Sequence, residues 1–278
     1  MNYKQINIAF IGGGNMAQAI IRGLIAADHP PENISAADPD PQQRAAISNL
    51  AAEIDVQADN SKILSQADAI VLAVKPQIMA AVASKLADTI RIDTQLIVSI
   101  AAGITLQSLR GWFGEAAQLV RVMPNQPALV GQGMSGLCAT EAVDAEGRDL
   151  AGYILRAAGR IRWFAEESRL DPVTAISGSG PAYYYLIMEI LQEVAEEFGF
   201  DPDTARLMSV QTALGASEVA ADSDTSLATL REQVTSPGGT TAAALTELEA
   251  AGIRAIFRKA LYAARDRSIE LGRLADPD

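Results

Sequence analysis

Three consecutive glycines, Gly12-Gly13-Gly14, separate a run rich in branched apolar residues, Ile6-Asn7-Ile8-Ala9-Phe10-Ile11, from a stretch that resumes as Ala17-Gln18-Ala19-Ile20-Ile21-Arg22-Gly23-Leu24. Read as strand, tight turn and helix, this order gives the glycines separate tasks. Gly12 takes a positive-φ turn and Gly14 lets the backbone approach a pyrophosphate. Ala17 fills the third place of the G-x-G-x-x-G/A spacing, where helix packs closely on strand. The helix N-terminus then faces an anion. An acid, Asp38, follows the next apolar segment, as a dinucleotide-binding turn requires. A merely glycine-rich turn is the bland alternative.

A second group of residues suited to holding an anion is Ser236-Pro237-Gly238-Gly239-Thr240-Thr241. Ser236 is expected to cap a helix whose first position is Pro237, with two glycines leaving the first backbone N–H groups uncovered. A carboxylate could rest there, aided by the hydroxyls of Ser236, Thr240 and Thr241. A plain glycine-containing helix start explains the same residues. Ser177-Gly178-Ser179-Gly180-Pro181 is either another exposed helix entrance with two hydroxyls or a flexible joint. Lys75-Pro76 ends the run Ala69–Val74, where a lysine either borders a nucleotide crevice or is simply solvated. Asp38 would bond ribose hydroxyls and favour NADH, but Arg44 could hold a 2′-phosphate. With Pro39 following, Asp38 also fits an Asx turn or a helix cap.

The absences narrow the chemistry. His29 is the only histidine and stands beside two prolines, so a Ser-His-Asp triad, a Cys-His pair and a histidine metal cluster are excluded, and no metal is expected. After Lys85 the only lysine is Lys259. A dinucleotide enzyme so equipped is poorly suited to protonating an alkoxide. An imine is easier, because its nitrogen can arrive protonated and the protein need only hold the ring against the nicotinamide.

These residues need a scaffold, and 278 residues with 49% hydrophobic content can bury a substantial core and form two domains. The net charge of −12 argues against nucleic acid or an anionic membrane as partner. The single Cys138 reads as a small buried residue, and it fits a reducing compartment. The uncharged stretches Val122–Thr140 and Pro172–Met188 are broken by Gly, Pro, Ser or Asn and are rejected as membrane spans. With little chain before the glycine turn, no signal peptide is expected and the location is expected to be cytoplasmic.

Strands are expected at Ile34–Asp38, Ile54–Val56, Ala69–Val74, Gln95–Ile100 and Leu119–Met123, with helices between them such as Pro41–Leu50. That alternation implies a doubly wound parallel sheet over roughly the first 160 residues. Beyond Trp163-Phe164 the texture becomes helical. Helices are expected from Pro181 to Phe198, from an Asp201 cap to Ala221, and from Ile253 to Leu271. The start of the Pro181 helix, Ala182-Tyr183-Tyr184-Tyr185-Leu186-Ile187-Met188, is apolar or aromatic almost all round. This predicts burial in a subunit interface, most simply a two-fold dimer.

Taken together, the chain resembles the pyrroline-5-carboxylate reductases. The resemblance rests on Phe10–Ala17, Ala73-Val74-Lys75-Pro76, Ser99–Thr105, Val122-Met123-Pro124-Asn125, Ser177–Tyr183 and Gln233–Thr241. It implies an α/β fold with an N-terminal Rossmann-type doubly wound sheet over 1–164 and an all-helical substrate-binding and dimerisation domain over 165–278. It further implies NADPH-dependent, or NADH-dependent, reduction of 1-pyrroline-5-carboxylate to L-proline. In that family the cofactor phosphates lie on Gly12, Gly13, Gly14, Asn15 and Met16. Asp38 and Asn60 lie at the adenosine end, and Ala73, Val74, Lys75, Pro76, Ala102, Pro124 and Asn125 line the cleft. The loop matching Ser236, Gly238, Gly239, Thr240 and Thr241 holds the substrate carboxylate, and Thr241 reaches the ring nitrogen as the catalytic hydroxyl. Asp224 stands where the family can have a glutamate near substrate, and Gln233 where it can have an asparagine near the nicotinamide. The resemblance also implies homodimers with interleaved helical domains, often stacked into rings, and active sites built from both subunits. Two other classes compete: a β-hydroxyacid dehydrogenase, which would need a lysine this chain lacks, and a silent nucleotide-binding protein.

Overall fold

A computed structural model describes residues 3–275. Its core is one eight-stranded sheet in the order β3-β2-β1-β4-β5-β6-β7-β8. The first six strands are β1 (Ile8–Ile11), β2 (Ile34–Ala37), β3 (Asp55–Gln57), β4 (Ala69–Leu72), β5 (Leu96–Ser99) and β6 (Gln118–Met123), all parallel to their neighbours within this set. Every residue of β1, β4 and β5 is buried, because helices cover both faces and no position is left for a polar alternation. On one face lie α1 (Asn15–Ala26), α2 (Pro41–Ser48) and α5 (Ala145–Arg156); α3 (Pro76–Leu86) and α4 (Leu106–Phe113) cover the other.

The helices follow from local sequence. In α1 the buried Ala17, Ile20, Ile21 and Leu24 recur on one stripe. Gly23 lets the helix press on the Ala157 carbonyl, where any Cβ would collide. Asp40 caps α2 by accepting from the Gln42 N–H at 2.8 Å, with Pro41 in the first turn.

One part of the sheet departs from expectation. It is not parallel throughout: β7 (Gly133–Ala139) runs antiparallel to β6, and β8 (Gly159–Trp163) is parallel to β7. The segment Gly133-Met134-Ser135-Gly136-Leu137-Cys138-Ala139 lacks a branched apolar run, and its small residues serve close approach instead. A Cβ on Gly136 would meet Val173 and Leu170.

After β8 the chain forms α6 (Leu170–Val173), a π-helical turn (Thr174–Gly178), α7 (Gly180–Glu197), α8 (Pro202–Ala221), α9 (Leu227–Gln233), α10 (Thr240–Ala250) and α11 (Ile253–Ala275). By contacts the chain divides at Ser179, and the residues from Ala264 onward belong with the sheet. Residues 165–179, expected with the helical part, therefore pack with the sheet. Gly272 does not end the last helix, which continues to Ala275.

In the helical unit, Gly180–Ala263, the Asp201 cap of α8 is as expected, accepting from Thr204 N–H at 3.1 Å. Helices α7 and α8 contact one another, and Ser209 Oγ donates to the Met188 carbonyl at 2.7 Å. Little else of α7 is covered within one chain. Tyr184 is 61% exposed, and Leu186, Ile190, Leu191 and Phe198 are exposed with it. An apolar surface this extensive marks an association face. No helix among the described residues is long and apolar enough to cross a membrane.

His29 lies in the loop beside its two prolines, but it is not in solvent. It is buried at the end of α1, with Nδ1 3.0 Å from the Tyr153 hydroxyl of α5, and Tyr153 stacks on Tyr3. Burial lowers its pKa from the ordinary 6.5, outweighing the opposing pull of nearby carbonyls and Glu32. The folded chain thus keeps the imidazole neutral where the unfolded chain protonates. The stabilisation is complete above pH 6.5 and is lost as pH falls below it, by up to about 1.4 kcal/mol per pH unit. A His29→Gln variant is expected to show a flatter melting-temperature profile between about pH 7 and about pH 5 than the parent chain. Parallel profiles would contradict this account.

Candidate active site

The glycine turn sits where the strand order reverses direction, between β1 and its neighbours β2 and β4. Gly12 has φ +99° and donates its N–H to the Ala37 carbonyl at 2.8 Å; an added Cβ would lie 2.8 Å from the Ala73 carbonyl oxygen. The Gly13 N–H donates to Asp38 Oδ2 at 2.7 Å, while Asp38 Oδ1 accepts from the Asp40 N–H at 2.8 Å. Asp38 therefore makes the Asx turn and also ties the glycine turn to the end of β2. The helix cap is Asp40. Arg44 Nη1 donates to the carbonyls of Asp38 and Pro39 at 2.9 and 2.8 Å, which holds a cation beside that acid.

Gly14 is the N-cap of α1, with no side-chain capping bond, and a Cβ there would meet nothing within 4 Å. Uncovered N–H groups at the start of a twelve-residue helix, next to open space, fit a pyrophosphate. Asn60 begins a short 3-10 turn after β3. Ala73 and Val74 lie against Gly12, and the exposed Lys75 is the N-cap residue of α3 without a capping bond, followed by Pro76. These residues all follow the carboxyl ends of their strands.

A cleft of about 350 Å³ opens beside the turn, lined by Asn15, Met16, Ile100, Ala102, Met123, Pro124, Asn125, Gln126, Leu129 and Gly178. It brings together the expected Asn15, Met16, Ala102, Pro124 and Asn125. Gly178 was read from sequence only as part of a helix entrance or joint, and Ile100 and Met123 only as members of motifs; Gln126 and Leu129 were not singled out. Nor were Arg121 and Glu167. Arg121 Nη1 lies 2.6 Å from Glu167 Oε1, which also accepts the Leu106 N–H at 2.7 Å. This ion pair ties β6 to the start of α4, beyond the Ala101-Ala102-Gly103 loop that forms one wall. Cys138 is buried, and its burial raises the thiol pKa, which suits a packing residue rather than a nucleophile. No metal-ligating cluster occurs among the described residues.

In the helical unit the expected cap is corrected. Ser236 does not cap a helix and Pro237 does not begin one: the Ser236 carbonyl closes a turn by accepting the Gly239 N–H at 3.0 Å. Gly238 takes φ +71°, and α10 starts at Thr240 with Gly239 as N-cap and no side-chain capping bond. The uncovered N–H groups therefore belong to Thr240, Thr241 and their successor, with Thr241 half-buried in the first turn. Asp224 is exposed between α8 and α9, and Gln233 is exposed at the end of α9.

Fold and glycine turn together define a dinucleotide-dependent oxidoreductase, and residues 7–103 match the family model for NADP oxidoreductase, coenzyme F420-dependent. Residues 167–271 match the model for pyrroline-5-carboxylate reductase dimerisation. A pyrroline-5-carboxylate reductase from Pseudomonas aeruginosa is 47% identical over 95% of this chain and 96% of its own. The structure of the Coxiella burnetii enzyme is similar with a TM-score of 0.91 at 41% identity, covering 96% of this chain and 98% of that one. That of the Plasmodium falciparum enzyme with NADP bound gives 0.85 at 29% identity, covering 97% and 99%. The chain belongs to the pyrroline-5-carboxylate reductase family.

Because the space beyond Gly14 is open, Gly14→Ala is expected to leave the melting temperature nearly unchanged and weaken NADPH binding at least about tenfold, by filling the approach to the N–H groups. Unchanged affinity in a fluorescence titration would contradict this placement of the phosphates.

Proposed function

We propose that this chain reduces 1-pyrroline-5-carboxylate to L-proline with NADPH, as the last step of proline biosynthesis in the cytoplasm. The observation that carries the reading, in a member of this family, is a pair of uncapped helix starts. One lies behind Gly12–Gly14, and the other behind Gly238-Gly239. Two anions, a pyrophosphate and a carboxylate, thereby find backbone donors without charged side chains.

In this reading Gly12, Gly13, Gly14, Asn15 and Met16 hold the cofactor phosphates, and Asp38 and Asn60 meet the adenosine ribose. Ala73, Val74, Lys75, Pro76, Ala102, Pro124 and Asn125 line the cleft, with Gln233 near the nicotinamide. Ser236, Gly238, Gly239, Thr240 and Asp224 receive the substrate. A bound reduced nicotinamide supplies a hydride to the imine carbon. The chain's own work is to orient the ring, to exclude water through the apolar walls at Ile100 and Met123, and to steady the ring nitrogen through the Thr241 hydroxyl. Proton transfer by histidine is not needed, in keeping with His29 being buried against Tyr153. Arg44 beside the ribose end favours a 2′-phosphate, as does NADP in the Plasmodium relative; Asp38 leaves NADH as the second reading.

The uncovered face of α7 supports a homodimer, and dimers stacking into a ring extend the same reading. Light scattering is expected to give at least a dimer, and a monomer at micromolar concentration would overturn it. Purified protein given pyrroline-5-carboxylate should oxidise NADPH faster than NADH. Cofactor binding without oxidation of either would favour a silent binding protein. Thr241→Ala should lower turnover at least about tenfold with cofactor affinity nearly unchanged, and an equal loss in both would refute the role of this hydroxyl.

A further inference from the structure

Two prolines interrupt backbone hydrogen bonding near the cleft, and one side chain answers both. Beyond Met123↔Gly136 the antiparallel register of β6 and β7 carries on to place Asn125 opposite Met134, but Pro124 ends the strand. The Asn125 side chain takes over, with Oδ1 accepting the Met134 N–H at 2.8 Å. The second interruption is Pro181. In a continuing α-helix the Ser177 carbonyl would accept the N–H of residue 181, which proline lacks, and the proline ring crowds that carbonyl. Asn125 Nδ2 donates to this carbonyl at 3.0 Å.

The segment so held is unusual. Thr174–Gly178 is π-helical, with the Ser179 N–H bonded to the Thr174 carbonyl at 2.8 Å, five residues back. Such turns are rare and occur often at functional sites. Gly178 forms part of the cleft wall, and a Cβ on it would fall 2.5 Å from Met123 Cε. Asn125 itself is only 9% exposed, and both ends of its amide are engaged by protein.

We propose that Asn125 is a positioning residue: its amide pins the π-helical turn Thr174–Gly178 to the end of β6 and so fixes the cleft wall against which the imine is presented. The inference rests on the reading that this cleft receives the nicotinamide and imine. It assigns Asn125 a role exerted through Ser177 and Gly178 rather than by bonding the cofactor.

The test compares Asn125→Ala and Asn125→Asp with the parent chain in three measurements: steady-state kinetics, NADPH affinity and hydrogen exchange over residues 174–179. Asn125→Ala should lower kcat/KM for the imine at least about tenfold, leave NADPH affinity within about twofold, and speed exchange in the turn. Asn125→Asp keeps an acceptor for Met134 and so guards against loss of folding. Its carboxylate repels the Ser177 carbonyl, whereas a protonated carboxyl donates to it. At neutral pH this variant should therefore show the same fall in kcat/KM and the same faster exchange in the turn as the alanine variant.

Unchanged exchange over residues 174–179 in both variants, or unchanged kcat/KM for the imine, would overturn the proposal. A loss confined to NADPH affinity would overturn it too, making Asn125 a direct cofactor ligand. Should the parent chain fail to reduce the imine, the functional reading fails, while exchange and NADPH affinity still decide whether Asn125 holds the turn.

Discussion

The first unit depends on how the chain leaves β1. At Gly12 the backbone must adopt φ +99° with no Cβ, because the Ala73 carbonyl fills the space a side chain would need. This one turn lets β4 and β2 close on either side of β1. It aims the start of α1 across the carboxyl ends of the strands and leaves the N–H groups of that helix without protein partners. Asp38 secures the turn from the β2 side through the Gly13 N–H, and the Ala73 N–H secures it from the β4 side by donating to the Ile11 carbonyl at 2.8 Å. The donors of this anion site are backbone N–H groups rather than cationic side chains, which is how a chain of net charge −12 can take an anionic cofactor.

A different limit governs the helical unit. Helices α7 to α10 bury few side chains within one chain, and α7 and α8 above all leave large apolar residues uncovered. Helical stability in proteins comes mainly from packing, so a face this bare calls for cover from association as much for burial as for function. The dimerisation model matched by residues 167–271 agrees with that requirement.

Legibility in the sequence followed the same division between local and distant causes. The buried strands β1, β4 and β5 were readable because continuous branched runs leave no other place for them, and the glycine turn because its spacing has a steric reason. The Asp201 cap of α8 was equally plain. Strand β7 was not, since Gly133 and Gly136 leave room for residues up to thirty-seven positions away in the chain, such as Val173. The start of α10 was placed three residues early, because a Ser-Pro pair suits a turn as well as a cap and only the Gly239 bond to Ser236 decides. His29 and Glu167 find their partners in Tyr153 and Arg121, at separations no local pattern encodes. Asn125 was picked out as a cleft residue, but the two proline-broken ladders it completes became visible only in three dimensions.

The central claim is that this scaffold delivers a hydride to the carbon of a cyclic imine held by backbone donors. The most direct measurement supplies NADPH carrying deuterium at the transferable position of nicotinamide C4, together with pyrroline-5-carboxylate, and locates the label in the product. The account predicts one deuterium at the former imine carbon of proline for each cofactor oxidised. Cofactor oxidation that leaves this carbon unlabelled, or proline formed with hydrogen from solvent at that carbon, would contradict it.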